Sequence, residues 1–154
     1  MVTRLVTTFT VNGVLALALS MSWLPARAAN ATDIAIYKDP LCGCCAKWAD
    51  HLRRNGFQVT TRDVDVAAMN KIKATHGVPA PLASCHTAIV DGYVVEGHAP
   101  AAAIQRLLHE RPRIKGIAVP GMPAGSPGME GPRASRYDIL SFDAEGKTGV
   151  YESR

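Results

Sequence analysis

The sequence predicts an α/β domain with its elements in the order βαβαββα, and three observations carry that reading. Short apolar runs alternate with stretches whose apolar residues recur every three or four positions. Asn55-Gly56, Gly77 and Asp91-Gly92 stand where helices must stop or strands must turn. Prolines, among them Pro40, Pro79, Pro100 and Pro112, fall between these stretches rather than inside them.

Taken in order, Ile34 to Tyr37 is a short apolar run suited to a buried strand, and Lys38-Asp39-Pro40 stops it. From Cys45 onward Trp48, Ala49 and Leu52 share a helical face, with Lys47, Asp50, Arg53 and Arg54 on the other, as far as Asn55-Gly56. Phe57 to Val64 reads as a second strand. Asp65 can cap a short helix with Val66, Met69 and Ile72 as its apolar positions, ending at Gly77. Pro79 and Pro81 exclude regular structure on the way to Ser84-Cys85-His86. Thr87 to Val90 and Tyr93 to Glu96 flank Asp91-Gly92 as a tight hairpin. Pro100 opens a helix that presents Ile104, Leu107 and Leu108 on one face, and Pro112 closes it. A parallel unit, an antiparallel hairpin and a covering helix together make a thioredoxin-like layout. Glycine and proline crowd Ile117 to Pro132, which is expected to be a long loop. Tyr137 to Phe142 and Thr148 to Tyr151 suit a final hairpin.

Residues 1–28 are set apart from this domain. An apolar run from Val14 to Leu24 is too short to span a bilayer, which takes roughly 20 residues. It ends at Pro25, and Ala26-Arg27-Ala28 has the small-x-small form of a signal-peptidase site. The expectation is a secretory leader over 1–28, a thioredoxin-like metal-binding domain with its Gly/Pro/Met loop over 29–132, and a hairpin extension over 133–154. No membrane attachment is expected after cleavage. The whole chain has 17 basic and 13 acidic residues, and loss of Arg4 and Arg27 halves the excess, so no electrostatic footprint for nucleic acid remains.

All four cysteines follow the leader. In an exported protein an even cysteine count suggests disulfides, but Cys42, Cys44 and Cys45 crowd within four residues, and staples joining distant parts of a chain are not spaced so. Cys42 and Cys45 form a C-x-x-C pair where a strand feeds a helix, and the helix dipole there favours thiolates. They are the candidate catalytic residues if the pair exchanges disulfides. A dithiol enzyme gains little from a third thiol, whereas a soft metal gains much. Thiolates suit Cu(I), zinc and iron–sulfur clusters. A single C-x-x-C is a weak match to a closed zinc site, and Cu(I) accepts two or three sulfurs and bridging thiolates. The candidate metal ligands are Cys42, Cys44, Cys45, Cys85 and His86. For Cys85 the alternative is a buried small hydrophobe; for His86 it is a backbone cap at a strand entrance. Met122 and Met129 are soft enough to bind copper, though both could merely pin their loop to the domain. His98 is either an outer ligand or part of a helix entrance. His51, His76 and His109 read as surface positions, and Met69 as core.

At these residues the chain resembles the CopG-like periplasmic copper-resistance family. The resemblance runs from about Ile34 to Glu130. It rests on Tyr37-Lys38-Asp39-Pro40 ahead of Cys42-Gly43-Cys44-Cys45, on Ser84-Cys85-His86-Thr87-Ala88, and on Gly92-Tyr93-Val94-Val95-Glu96-Gly97-His98. Val119-Pro120-Gly121-Met122-Pro123 and Gly125-Ser126-Pro127-Gly128-Met129-Glu130 complete it. The resemblance implies a thioredoxin-like fold, a periplasmic location, and copper held by the cysteine motif with the later cysteine. The function then expected is copper binding in resistance or homeostasis, with copper redox activity as an addition; the alternative is thiol–disulfide exchange by Cys42 and Cys45. Copper ions, and other periplasmic copper-handling proteins, are the expected partners. Four thiolates exceed the need of one Cu(I), so a sulfur-bridged polynuclear cluster is expected. Cells expressing the full chain are expected to yield a periplasmic product beginning near Ala29; N-terminal sequencing that finds Met1 intact in the membrane fraction refutes the leader.

Overall fold

The computed structural model describes residues 31–154, so the expected leader lies outside the described residues. Strand β1 (Thr32–Lys38) leads to helix α1 (Gly43–Arg54), strand β2 (Phe57–Asp63) and helix α2 (Val66–Thr75). A single 3₁₀ turn, Ala80–Leu82, precedes strands β3 (His86–Val90) and β4 (Tyr93–Gly97). Helix α3 (Ala101–Glu110) and strands β5 (Gly116–Val119), β6 (Asp138–Phe142) and β7 (Thr148–Ser153) complete the chain. The seven strands form one sheet in the order β2-β1-β3-β4-β5-β6-β7. Strand β1 pairs parallel with β2 and antiparallel with β3, and β3 pairs antiparallel with β4. This is the thioredoxin-like arrangement that the element order predicts. Among the described residues no helix is long and apolar enough to cross a membrane.

The sheet is covered on both faces. Ile34, Ile36, Val95, Ile117, Val119 and Ile139 bury one face together with Trp48, Ala49 and Leu52 of α1 and Ile104 and Leu107 of α3. Residues one step out of phase, Val94, Ala118 and Phe142, bury the other face with Leu82. Helix α3 carries the chain from β4 to β5 as a parallel crossover.

Strand β5 is where the structure departs from the expected loop. Gly116–Val119 is buried throughout and lies between β4 and β6. A strand buried on both faces shows no alternation, and this one is only four residues long and runs straight into Pro120-Gly121, so the glycine and proline that follow mask it. Gly116 is required here by contact, since a Cβ atom on it would lie 2.2 Å from the Val94 carbonyl oxygen.

The histidines also divide differently from expectation. His109 is exposed, but His51 is half-buried and does structural work. Helix α3 begins at Pro100, which offers no side-chain cap, and the Ala101 N–H instead donates to His51 Nε2 at 3.1 Å. Burial holds the His51 pKa below its ordinary value, in keeping with an imidazole that must stay neutral to accept.

Replacing Gly116 by alanine is expected to destabilise the domain by about 2 kcal/mol, the usual scale of overpacking. Gly131→Ala, where an added Cβ meets nothing within 4 Å, is expected to be near neutral. Urea unfolding midpoints of the two variants measure the difference, and equal midpoints would contradict the close approach of β4 and β5.

Candidate metal centre

The site forms where the end of β1, the first turn of α1 and the entrance to β3 meet. Lys38 at the end of β1 lies opposite His86 at the start of β3. Pairing in that register sets Cys85 beside the turn from Asp39 to Cys42. That turn is fixed by the Leu41 N–H donating to Asp39 Oδ1 at 2.7 Å and the Cys42 N–H donating to the Asp39 carbonyl at 3.1 Å. Cys42 is the N-cap of α1, its sulfur accepting from the Cys45 N–H at 3.4 Å.

Cys42 and Cys45 are joined in a disulfide. Cys44 and Cys85 are free thiols. Cys42 Sγ lies 3.4 Å from Cys44 Sγ and 3.5 Å from Cys85 Sγ, while Cys45 Sγ lies 3.1 Å from Cys85 Sγ. The four cysteine sulfurs all lie within 4.8 Å of one another. The structure therefore brings together every cysteine that the sequence offers. Burial, followed by the neighbouring Cys44, pushes the Cys85 thiol up to about 11, so a metal arriving there displaces a proton.

A fifth sulfur comes from the glycine- and proline-rich loop. Met122 Sδ is 3.3 Å from Cys85 Sγ and 3.8 Å from Cys44 Sγ. To reach them the chain turns through two successive left-handed residues, Gly121 at φ 75° and Met122 at φ 47°. A non-glycine residue held there stores of order 1 kcal/mol or more, as is common at binding sites. The loop is seated by Gly128, whose missing side chain lets it lie on α1: a Cβ would come within 2.7 Å of the Cys44 carbonyl oxygen and 3.0 Å of the Trp48 nitrogen. Met129 makes no sulfur contact of this kind among the described residues. The sequence pointed to Met122 only as a soft residue without a core to fill, and its contact with Cys85 needed the strand β5 that the sequence hid.

Two histidines lie beneath the sulfurs. His86, the first residue of β3, is fully buried, 4.4 Å from the Trp48 ring and 5.3 Å from the His98 ring. Its Nδ1 is 3.8 Å from Cys85 Sγ. Burial, with the nearby His98 and Lys73, lowers its pKa to about 3, so the ring is neutral. His98, also fully buried, has Nδ1 at 2.7 Å from the Pro127 carbonyl oxygen. Nδ1 must therefore carry the proton and donate, which leaves the Nε2 lone pair free. A histidine whose other nitrogen donates to a carbonyl is the usual arrangement of a metal ligand. Among the described residues Nε2 of both rings has no hydrogen-bond partner, and single ligand atoms of Cys45, Cys85, His86 and His98 also lie within 4.8 Å of one another.

Glu96 anchors the segment that carries Cys85. Fully buried on β4, it accepts from the Ser84 N–H at 2.5 Å and the Thr87 hydroxyl at 2.8 Å, and it pairs with the buried Lys73 of α2. Lys73 also donates to Thr87 Oγ1 at 2.9 Å. Desolvation raises the Glu96 pKa, and Lys73 opposes it. Glu96→Gln strands the Lys73 charge and is expected to cost about 3 kcal/mol. Adding Lys73→Met to that variant should recover part of the loss, as read from urea unfolding; a further drop in the double variant would show that Lys73 does not depend on Glu96.

Comparison with known proteins gives the family. A family model described as a protein of unknown function, DUF411, matches residues 82–129, which run from the 3₁₀ turn through Met122 to Met129. The chain matches no curated protein. Two solved structures, titled copper resistance protein CopG, form 1 and form 2, are 43% and 44% identical to it. Each covers 80% of this chain and 98% of its own, with TM-scores of 0.75 and 0.74. At that identity and coverage the chain belongs to the family of the copper resistance protein CopG.

Proposed function

We propose that the chain is a periplasmic copper-binding protein of copper resistance that holds Cu(I) through Cys42, Cys44, Cys45 and Cys85, with His86 as a further ligand. The observation that carries the reading is the approach of four cysteine sulfurs to within 4.8 Å of one another, with the thioether of Met122 against two of them. A thioether among thiolates suits Cu(I) better than zinc, because Cu(I) is the softer ion. The titles of the two solved relatives support the choice of metal. His98 joins the ligand candidates through its unpartnered Nε2.

Four thiolates this close disfavour one another's ionisation unless their charge is shared. A sulfur that bridges two Cu(I) ions shares it best, so the loaded site holds more than one copper. A second reading is supported by the disulfide between Cys42 and Cys45. Two thiolates that join release two electrons, which reduce two Cu(II) ions to Cu(I); the same pair could exchange electrons with another dithiol. Under either reading Cys42 and Cys45 must be reduced before all four sulfurs can bind metal.

The test is to reduce the mature chain anaerobically, load it with Cu(I), and measure copper per chain with X-ray absorption. More than one copper per chain and a short copper–copper vector are expected. Cys44→Ser is expected to lower the loading while leaving dithiol exchange by Cys42 and Cys45 intact. One copper at saturation without a copper–copper feature would leave a mononuclear site, and equal loading by competing zinc would overturn the copper assignment.

A further inference from the structure

Cys85 belongs both to the sulfur cluster and to the lining of a cavity. Its sulfur meets those of Cys42, Cys45 and Met122, and the residue is also among those lining a cavity of about 250 Å³ between α2 and the Ala83–Cys85 segment. The cavity wall is largely apolar, with Val64, Val66 and Met69, and its polar groups include the acids Asp39 and Asp65. The lysine that reaches it, Lys73, is held by Glu96 and offers no free positive charge. Three large hydrophobic side chains stand exposed among the described residues, and one of them lines this cavity. Val66, 69% exposed, is in the cavity wall, and Leu41, 92% exposed, follows two residues after Asp39 in the turn that carries the cysteine motif.

An apolar wall with Val66 exposed in it and two carboxylates beside it offers complementary contacts to an apolar segment with basic flanks. From the wall and rim we propose that this cavity is the port through which copper passes between the site and a partner protein, and that its occupant is a methionine-bearing stretch of that partner flanked by basic residues. The proposal rests on the copper-binding reading above. An uncharged thioether enters an apolar wall without the desolvation that a thiolate would suffer. Basic flanks meet the carboxylates of Asp39 and Asp65, which steer encounter and select against acidic segments. Cys85 is the one cysteine that both lines the cavity and touches the other sulfurs, so a thioether seated there stands next to the metal ligands. Transfer is ligand exchange: a copper–sulfur bond to the partner's methionine forms as the bond to Met122 or Cys85 breaks. Copper stays Cu(I), no electron moves, and a thiolate that loses its last copper takes one proton from water.

The experiment uses the mature chain, reduced, both metal-free and Cu(I)-loaded, with a short synthetic peptide carrying one methionine between lysines. On the metal-free chain, amide NMR shifts are expected to cluster at Val66, Asn70 and Ser84. On the loaded chain the peptide is expected to remove copper, whereas a norleucine version seats equally but removes none. A glutamate-flanked version is expected to bind at least roughly tenfold more weakly, since like charges then face each other. Val66→Lys, at an exposed position, is expected to abolish seating while copper content stays that of the parent. Shifts that fall elsewhere, copper removal unaffected by Val66→Lys, or equal binding of the glutamate peptide would each overturn the port. Because seating is read without metal and loading without peptide, a chain that seats the peptide but takes up no copper overturns the metal reading instead.

Discussion

Everything at this site depends on the antiparallel register of β1 with β3. Lys38 opposite His86 puts the last residue of one strand against the first of the other, so the segments just outside the sheet, the turn to Cys42 and the approach through Cys85, are forced together. A shift of one residue would turn His86 and Ala88 to the opposite face of the sheet and carry the sulfur of Cys85 away from α1. The register is held by burial on both faces, through Ile34, Ile36 and Ala88 on one and Ile89 on the other. Backbone pairing of two hydrophobic strands thus fixes sulfur positions that no local sequence preference could hold.

The same logic extends to the loop. Gly97 pairs with Val119 across β4 and β5, and the approach is so close that a Cβ on Gly97 would lie 2.4 Å from the Val119 carbonyl oxygen. Pro120-Gly121-Met122 therefore starts from a fixed point beside Ser84. From there the loop braces itself: Ser126, fully buried, donates from its hydroxyl to the Pro123 carbonyl at 2.7 Å, and the Gly128 N–H donates to Glu130 Oε1 at 2.8 Å. Its glycines and prolines are thus a means of reaching α1, and the C-terminal hairpin of β6 and β7 continues the sheet beyond it.

The sequence displayed the helices and the first four strands because their signals are local: the Asp65 cap, the stop at Asn55-Gly56, the turn at Asp91-Gly92. The cysteines were legible as a group because three of them fall within four residues. What was illegible depends on pairs far apart in the chain. Strand β5 is defined by its neighbours rather than by its own pattern, and with it Met122 remained a loop residue. His51 looked like a surface histidine because the helix end it caps begins fifty residues later. Glu96 read as a strand residue, since nothing in its surroundings in sequence shows that Ser84, Thr87 and Lys73 will converge on it.

Trp48 gives the molecule an optical handle. It is the single tryptophan of residues 31–154, the other, Trp23, lying in the segment expected to be removed. Its indole is fully buried, donates to the Ala99 carbonyl oxygen at 2.8 Å, and lies 4.4 Å from the His86 ring. With excitation beyond the absorption of the four tyrosines, emission from residues 31–154 comes from Trp48 alone, beside one candidate ligand. Its intensity and lifetime report the electronic state of His86 without a label, which makes the interior of the site readable by light alone.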